Sequence, residues 1–236
     1  MGIMGSRATL NATIRCDRCQ LMHRWCVCAA QGSFACSLAV GVLIHRRELQ
    51  RPTSTGRLIH RTVENSRLHV YEPGRPLAPE VVRMSGRELW VLHPQGEDPP
   101  PGAQASNVQV LLLDGNWREA AAMTRTVTGW GRRIRISMTG SSRYWLRAQR
   151  EAAEYSTAEA LAAVLGLLGL EAERAALNLQ LELHVYAGLL SRGRKDEAAR
   201  YLADSPVGSA FSDLVQRLNR KRTHSVGWKF GGLPRS

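Results

Sequence analysis

The feature that most constrains the fold is residues 108–113, VQVLLL, a run that ends in Asp114-Gly115-Asn116-Trp117 and passes straight into a helical stretch. Apolar side chains on both faces of a strand imply cover on both sides, the habit of a central strand in a parallel sheet. Parallel strands need crossover connections, usually helices, so this one segment already points to an α/β chain. In such sheets ligands bind beyond the carboxyl ends of the strands. Asp114 and Trp117 stand there, as candidates for holding a nucleotide-like molecule. The competing role for Asp114 is that of cap for the helix that begins near Trp117.

Other segments repeat the alternation. Leu38–Ile44 reads as a buried strand, 67–71 (RLHVY) and Leu89–Leu92 as shorter ones, and Arg133–Met138 as a strand with Ile134, Ile136 and Met138 on one face. Between them, Thr53 or Ser54 caps a helix running to about Glu64. Ser156 or Thr157 followed by Glu159 starts a strongly apolar helix, and 172–191 continue as helix. Residues 94–106, rich in Pro and Gly, form a long loop. The fold class is therefore α/β, a mostly parallel sheet with helices on both faces. No Walker loop is present, and Gly129-Trp130-Gly131 is followed by Ile134 where a dinucleotide turn has its third glycine.

A net charge of +12, from 32 basic and 20 acidic side chains, favours a polyanionic partner, nucleic acid before membrane. The longest apolar runs, Phe34–Ile44 and Leu161–Leu170, are too short to span a bilayer, and no secretory segment is evident. These features predict a cytoplasmic protein.

Four of the five cysteines lie between positions 16 and 28: Cys16-x-x-Cys19 and Cys26-x-Cys28. Without a secretion signal, such clustering argues for metal before disulfides. Thiolates are soft ligands, and a full set of four suits a tetrahedral structural zinc with no open position for chemistry. Cys36, inside an apolar run, reads as core. Arg18, Arg24 and Trp25 give the module a basic, aromatic surface. It could grip an RNA backbone and stack on a base, or simply pack on the main domain.

Taken together the segments resemble the DTW-domain family of tRNA-uridine aminocarboxypropyltransferases. The matching pieces, in the family's order, are the paired cysteines, His45-x-x-Glu48 with Thr55-x-Arg57-Leu58, Leu92-x-Pro94, Leu113-Asp114-Gly115-x-Trp117, Ser142-x-Tyr144-x-x-Arg147, and Ser156-Thr157-x-Glu159-Ala160. The sequence departs from the family at Asn116, where Thr is usual, and at Arg46, where Pro is frequent.

The resemblance implies a SPOUT-like fold, knotted at the cofactor site, with S-adenosylmethionine as donor and N3 of a tRNA uridine as acceptor. It makes residues 37–220 a catalytic domain, set between the cysteine-rich zinc module (15–36), which follows a mobile leader (1–14), and a basic tail (221–236), all three read from the residues themselves. It places the donor against Leu92, His93, Pro94, Leu113, Asp114, Trp117, Ser156, Thr157 and Glu159. Asp114 is the candidate for accepting the uridine proton, with a loop-holding role as its alternative. Glu159 either meets the donor's amino group or serves the start of its helix. Arg18, Trp25, Arg57, Arg143, Tyr144 and Arg147 are candidates for RNA, and Arg147 also for the donor's carboxylate. A silent RNA-binding relative and a methyltransferase on the same scaffold are the alternatives. The partner is tRNA, and a monomer is favoured.

Overall fold

The computed structural model describes residues 15–147 and 155–220. The expected leader (1–14) and basic tail (221–236) lie outside the described residues. Five strands form one sheet: β1 (Ala39–His45), β2 (Arg67–Tyr71), β3 (Glu88–Glu97), β4 (Val108–Asp114) and β5 (Arg132–Ile134). Their order is β2-β1-β4-β3-β5, and every pairing is parallel. The two central strands, β1 and β4, are the two apolar runs that the sequence marks as buried on both faces.

Alternate residues of these strands feed two apolar clusters, one on each face. Val40, Val42, Ile44, Val110, Leu112 and Trp90 face α1 (Thr55–Thr62), α4 (Thr157–Leu167) and α5 (Glu171–Ser191). Leu43, Leu89, Val91 and Leu111 face α2 (Pro79–Val82) and α3 (Trp117–Thr126), which contribute Val82 and Met123. Helices thus cover both faces, as expected. Gln109, a polar residue within β4, is buried because its amide is satisfied: it donates to the Val82 carbonyl at 2.7 Å and accepts from the Met84 amide at 2.8 Å. Beyond α5, the helices α6 (Lys195–Ala203), α7 (Val207–Ala210) and α8 (Ser212–Asn219) add Ala198, Tyr201, Val207 and Leu218 to the larger cluster.

Three boundaries differ from the sequence reading. Helix α1 is capped by Ser54, one of the two expected caps, whose hydroxyl accepts from the Arg57 amide, but it ends at Thr62, short of Glu64. Strand β3 does not stop at Leu92. It bulges and resumes its pairing at Glu97, so the front of the expected loop is strand. Strand β5 ends at Ile134, well before Met138. Its neighbour runs into Pro99-Pro100-Pro101, which have no amide hydrogens to extend a ladder. Ile136 nevertheless packs against the core, so the inward alternation outlasts the hydrogen bonds.

The connections fix where a ligand belongs. The chain leaves β1 toward β2 at one edge, and leaves β4 through α3 toward β5 at the other. The crevice between β1 and β4, where Ile44 pairs with Asp114, is the topological switch point of the sheet.

Candidate functional site

Among the described residues, four carboxylates are buried at this edge of the sheet: Glu48, Asp114, Glu119 and Glu159. A buried carboxylate is costly unless donors surround it, so their partners define the site.

Asp114 ends β4 and joins two helix starts. Its Oδ2 accepts from the Ser54 hydroxyl at 2.8 Å, and its Oδ1 from the Thr157 hydroxyl at 2.7 Å. Gly56 lies so close that a Cβ there would stand 2.7 Å from the Asp114 carboxyl carbon. The cap of α3 is Asn116, not Asp114: the Asn116 side chain accepts from the Glu119 amide at 3.0 Å, and Glu119 accepts from the Asn116 amide at 2.8 Å. This capping box explains the departure at position 116, since Asn and Thr both serve as helix caps.

Glu159 forms the matching box at the start of α4, accepting from the Ser156 amide at 2.7 Å while the Ser156 hydroxyl accepts from the Glu159 amide. It also accepts from the Ser142 hydroxyl at 2.9 Å and from the Arg143 amide at 2.7 Å. Glu48, fully buried, sits between Arg51 at 2.5 Å and Arg147 at 2.6 Å. Burial lifts its carboxyl above the ordinary range, and Arg147 pulls the other way. The loop after Glu48 is held from three sides. Arg147 reaches Thr53 Oγ1 at 3.5 Å, the Tyr144 hydroxyl donates to the Thr53 carbonyl, and His184 Nε2 donates to the Pro52 carbonyl at 2.7 Å. His184 is buried in apolar surroundings, and this together with Arg61 pushes it down to about 4.

Glu119 differs. Its Oε1 is buried and has no hydrogen-bond partner among the described residues. His45 Nδ1, at the end of β1, stands 3.4 Å away and accepts from the Arg47 amide at 3.3 Å. His45 is itself buried and stands against the Tyr71 ring, 5.8 Å between centroids.

The expected site residues fall into groups. Asp114 and Thr157 are in direct contact, and Ser156, Glu159, Arg143 and Tyr144 join through Ser142. Leu92, His93 and Pro94 follow the last β3–β4 pair, Val91 with Leu111, at the same end of the sheet as Leu113. Trp117, in the first turn of α3, is 64% exposed. Tyr144 is sealed, and burial raises its hydroxyl well above the usual tyrosine range. Arg143 lies over the Tyr201 ring and pairs with Glu182 at 3.1 Å. Two cavities, of about 180 and 270 Å³, are lined respectively by Arg15, Pro52, Leu146 and Arg192, next to the loop that His184 holds, and by Pro99–Ala103 with Leu167 and Leu168. Glu48, Ser142 and the His45–Glu119 pair are contributors that motif reading left without a role, and Ser54, expected as a cap, also bonds Asp114.

The four cysteine sulfurs of the N-terminal module lie within 4.8 Å of one another, with Cys16–Cys28 and Cys19–Cys26 both at 3.8 Å. Those separations are far too long for disulfides and match the edge of a tetrahedron with metal–sulfur bonds of about 2.3 Å. The turn between the first two ligands and Leu21 forces Gln20 into the left-handed region at φ 60°. Burial works against ionisation of Cys16, but the amides of Cys19 and Arg18 outweigh it and bring the thiol down to about 6, whereas burial raises Cys19 and Cys28. The quartet could hold a metal ion such as zinc. The module is tied to α1: Arg57 donates to the Asp17 and Arg18 carbonyls at 2.7 and 3.2 Å and also to the Leu49 carbonyl. Arg61 donates to Arg18 as well. Cys16, Cys19, Leu21 and Val27 share the larger apolar cluster with the rest of the chain. Trp25 is partly covered, with the Arg24 guanidinium 4.7 Å from its ring.

Among the described residues no helix is long and apolar enough to cross a membrane. No solved structure matches the chain. A family model, the DTW domain, matches residues 13–189, three quarters of the sequence. The chain therefore belongs to the DTW-domain family, the family of the tRNA-uridine aminocarboxypropyltransferases.

Proposed function

We propose that the protein transfers the 3-amino-3-carboxypropyl group of S-adenosylmethionine to N3 of a uridine in tRNA, releasing 5′-methylthioadenosine. The observation that carries this reading is the contact of the two family corners. Asp114 of one bonds Thr157 of the other at the switch point between β1 and β4. A sheet with this connectivity takes its ligand at that point.

The donor lies over this edge, bounded by Leu92-His93-Pro94, Leu113, Trp117 and the Ser156-Thr157 turn, in a knotted SPOUT-like arrangement of loops. Asp114 positions these loops, since both of its oxygens already accept hydroxyls and it is only 5% exposed. Glu159, surrounded by donors, holds the start of α4 against Ser142 and Arg143. In the reaction the N3 electron pair attacks the γ-carbon of the donor, the carbon–sulfur bond breaks, and sulfur keeps the pair. The uridine proton leaves to a base. Alignment of the two substrates supplies on the order of 7–11 kcal/mol of barrier lowering in well-oriented cases. The exposed Arg46, Arg47 and Arg118 flank the edge, and the net charge of +12 favours a phosphate backbone. Arg18, Trp25 and Arg57 extend that basic surface onto the module. The metal of the cysteine quartet is zinc with a structural role, as four thiolates leave no open position.

Donor labelled separately in its carboxyl carbon and in its methyl group tests the reading. Carboxyl label should appear in tRNA and methyl label in methylthioadenosine. Methyl label in the tRNA points to a methyltransferase instead, and a protein that binds tRNA but not donor is a silent relative. Metal analysis should return one zinc per chain, lost in Cys19→Ser together with a lower melting temperature.

A further inference from the structure

The transfer needs a proton acceptor, and among the described residues three of the four buried carboxylates at this edge are already engaged. Glu48 holds two arginines, Asp114 two hydroxyls, and Glu159 hydroxyl and amide donors. Glu119 keeps Oε1 buried and without a partner among the described residues, 3.4 Å from His45 Nδ1. We propose that His45 is the general base of the aminocarboxypropyl transfer and that Glu119 orients it. The proposal rests on the function given above.

The tautomer decides what the imidazole can do. Nδ1 faces two groups at similar distance: the Arg47 amide at 3.3 Å, which would need it as an acceptor, and Glu119 Oε1 at 3.4 Å, which would need it as a donor. In the structure the Arg47 amide donates to Nδ1, whereas the approach to Glu119 is not a hydrogen bond. Arg47 is an exposed residue. Glu119 Oε1 is sealed, and a sealed acceptor left unmatched costs about 1–3 kcal/mol. The tautomer that can act carries the proton on Nδ1, turned from the Arg47 amide to Glu119, which leaves a lone pair on Nε2. Nε2 makes no hydrogen bond among the described residues.

The position fits the task. His45 is the last residue of β1, one step beyond the Ile44–Asp114 pair at the switch point. In the step, Nε2 takes the uridine N3 proton as N3 bonds to the γ-carbon and the carbon–sulfur bond breaks. The products are the alkylated uridine, neutral methylthioadenosine and an imidazolium beside the Glu119 carboxylate. That carboxylate stabilises the charge as it forms, a positioning role, and makes no contact with substrate.

His45→Asn keeps a donor for Glu119 and an acceptor for the Arg47 amide but cannot take a proton. Its transfer rate should fall by roughly 100-fold or more, with donor affinity and melting temperature close to wild type. Glu119→Gln should lower kcat about tenfold or more with KM little changed. In His45→Gly, added imidazole should restore transfer in proportion to its free-base concentration, which a merely structural histidine would not allow. His45→Asn at more than half the wild-type rate, or His45→Gly indifferent to imidazole, overturns the base role while leaving the transferase reading intact. A wild-type protein with no transfer at all overturns both.

Discussion

Helices α3 and α4 begin in the same way, with a capping box built from a polar cap and a glutamate three residues on: Asn116 with Glu119, and Ser156 with Glu159. What surrounds them differs. At α4 the strand-to-helix connection folds back, so Ser142 and the Arg143 amide fill the capacity that Glu159 has left. At α3 the described residues bring no such segment, and Glu119 Oε1, without a hydrogen-bond partner among them, stands 3.4 Å from His45 at the end of β1. One pattern therefore yields a closed joint and an open one. A carboxylate with all its partners fixes backbone; a carboxylate with a spare oxygen beside an imidazole can follow a proton.

The contrast can be broken by emptying the closed joints. Glu48→Ala should have the largest effect, a loss of about 3 kcal/mol or slightly more in urea unfolding, because it empties a fully buried position and breaks the bonds of Arg147 and Arg51, whose own partial exposure limits the cost. Glu159→Ala strands the Ser142 hydroxyl and the Arg143 and Ser156 amides, for a loss of about 3 kcal/mol by the same measurement.

A pH titration examines the clasp on the loop that carries Ser54. His184 is held down to about 4 in the fold, from an ordinary 6.5. Between those values the unfolded chain binds more protons than the native one, so stability is complete above pH 6.5 and declines as pH falls toward 4. The decline due to this group is roughly 3 kcal/mol, and His184→Gln should remove it from the stability–pH curve. The smallest effect is expected at the open joint. Glu119→Ala should cost about 1 kcal/mol, the worth of its capping bond. Equal losses from Glu119→Ala and Glu159→Ala would dissolve the distinction between the two helix starts.

The sequence made the frame legible. The runs at 38–44 and 108–113 are so uniformly apolar that only covered parallel strands satisfy them, and β1 and β4 are those strands. The cysteine spacing anticipated a cluster that does converge, and the serine–threonine corner anticipated the start of α4. What escaped the sequence depends on lateral register. His45 and Glu119 are far apart in the chain and meet because β1 and β4 are neighbours in the sheet, a pairing that no local pattern announces. Glu48 likewise waits for Arg147, delivered from beyond β5. The shortened β5 reflects its neighbour's prolines, so its own alternation was a guide to burial and not to hydrogen bonding.

The most direct measurement is mass spectrometry of nucleosides from tRNA incubated with the purified protein and S-adenosylmethionine. The account predicts 3-(3-amino-3-carboxypropyl)uridine in the RNA and methylthioadenosine in the supernatant. Methyluridine with S-adenosylhomocysteine, or uridine left unaltered, would contradict it.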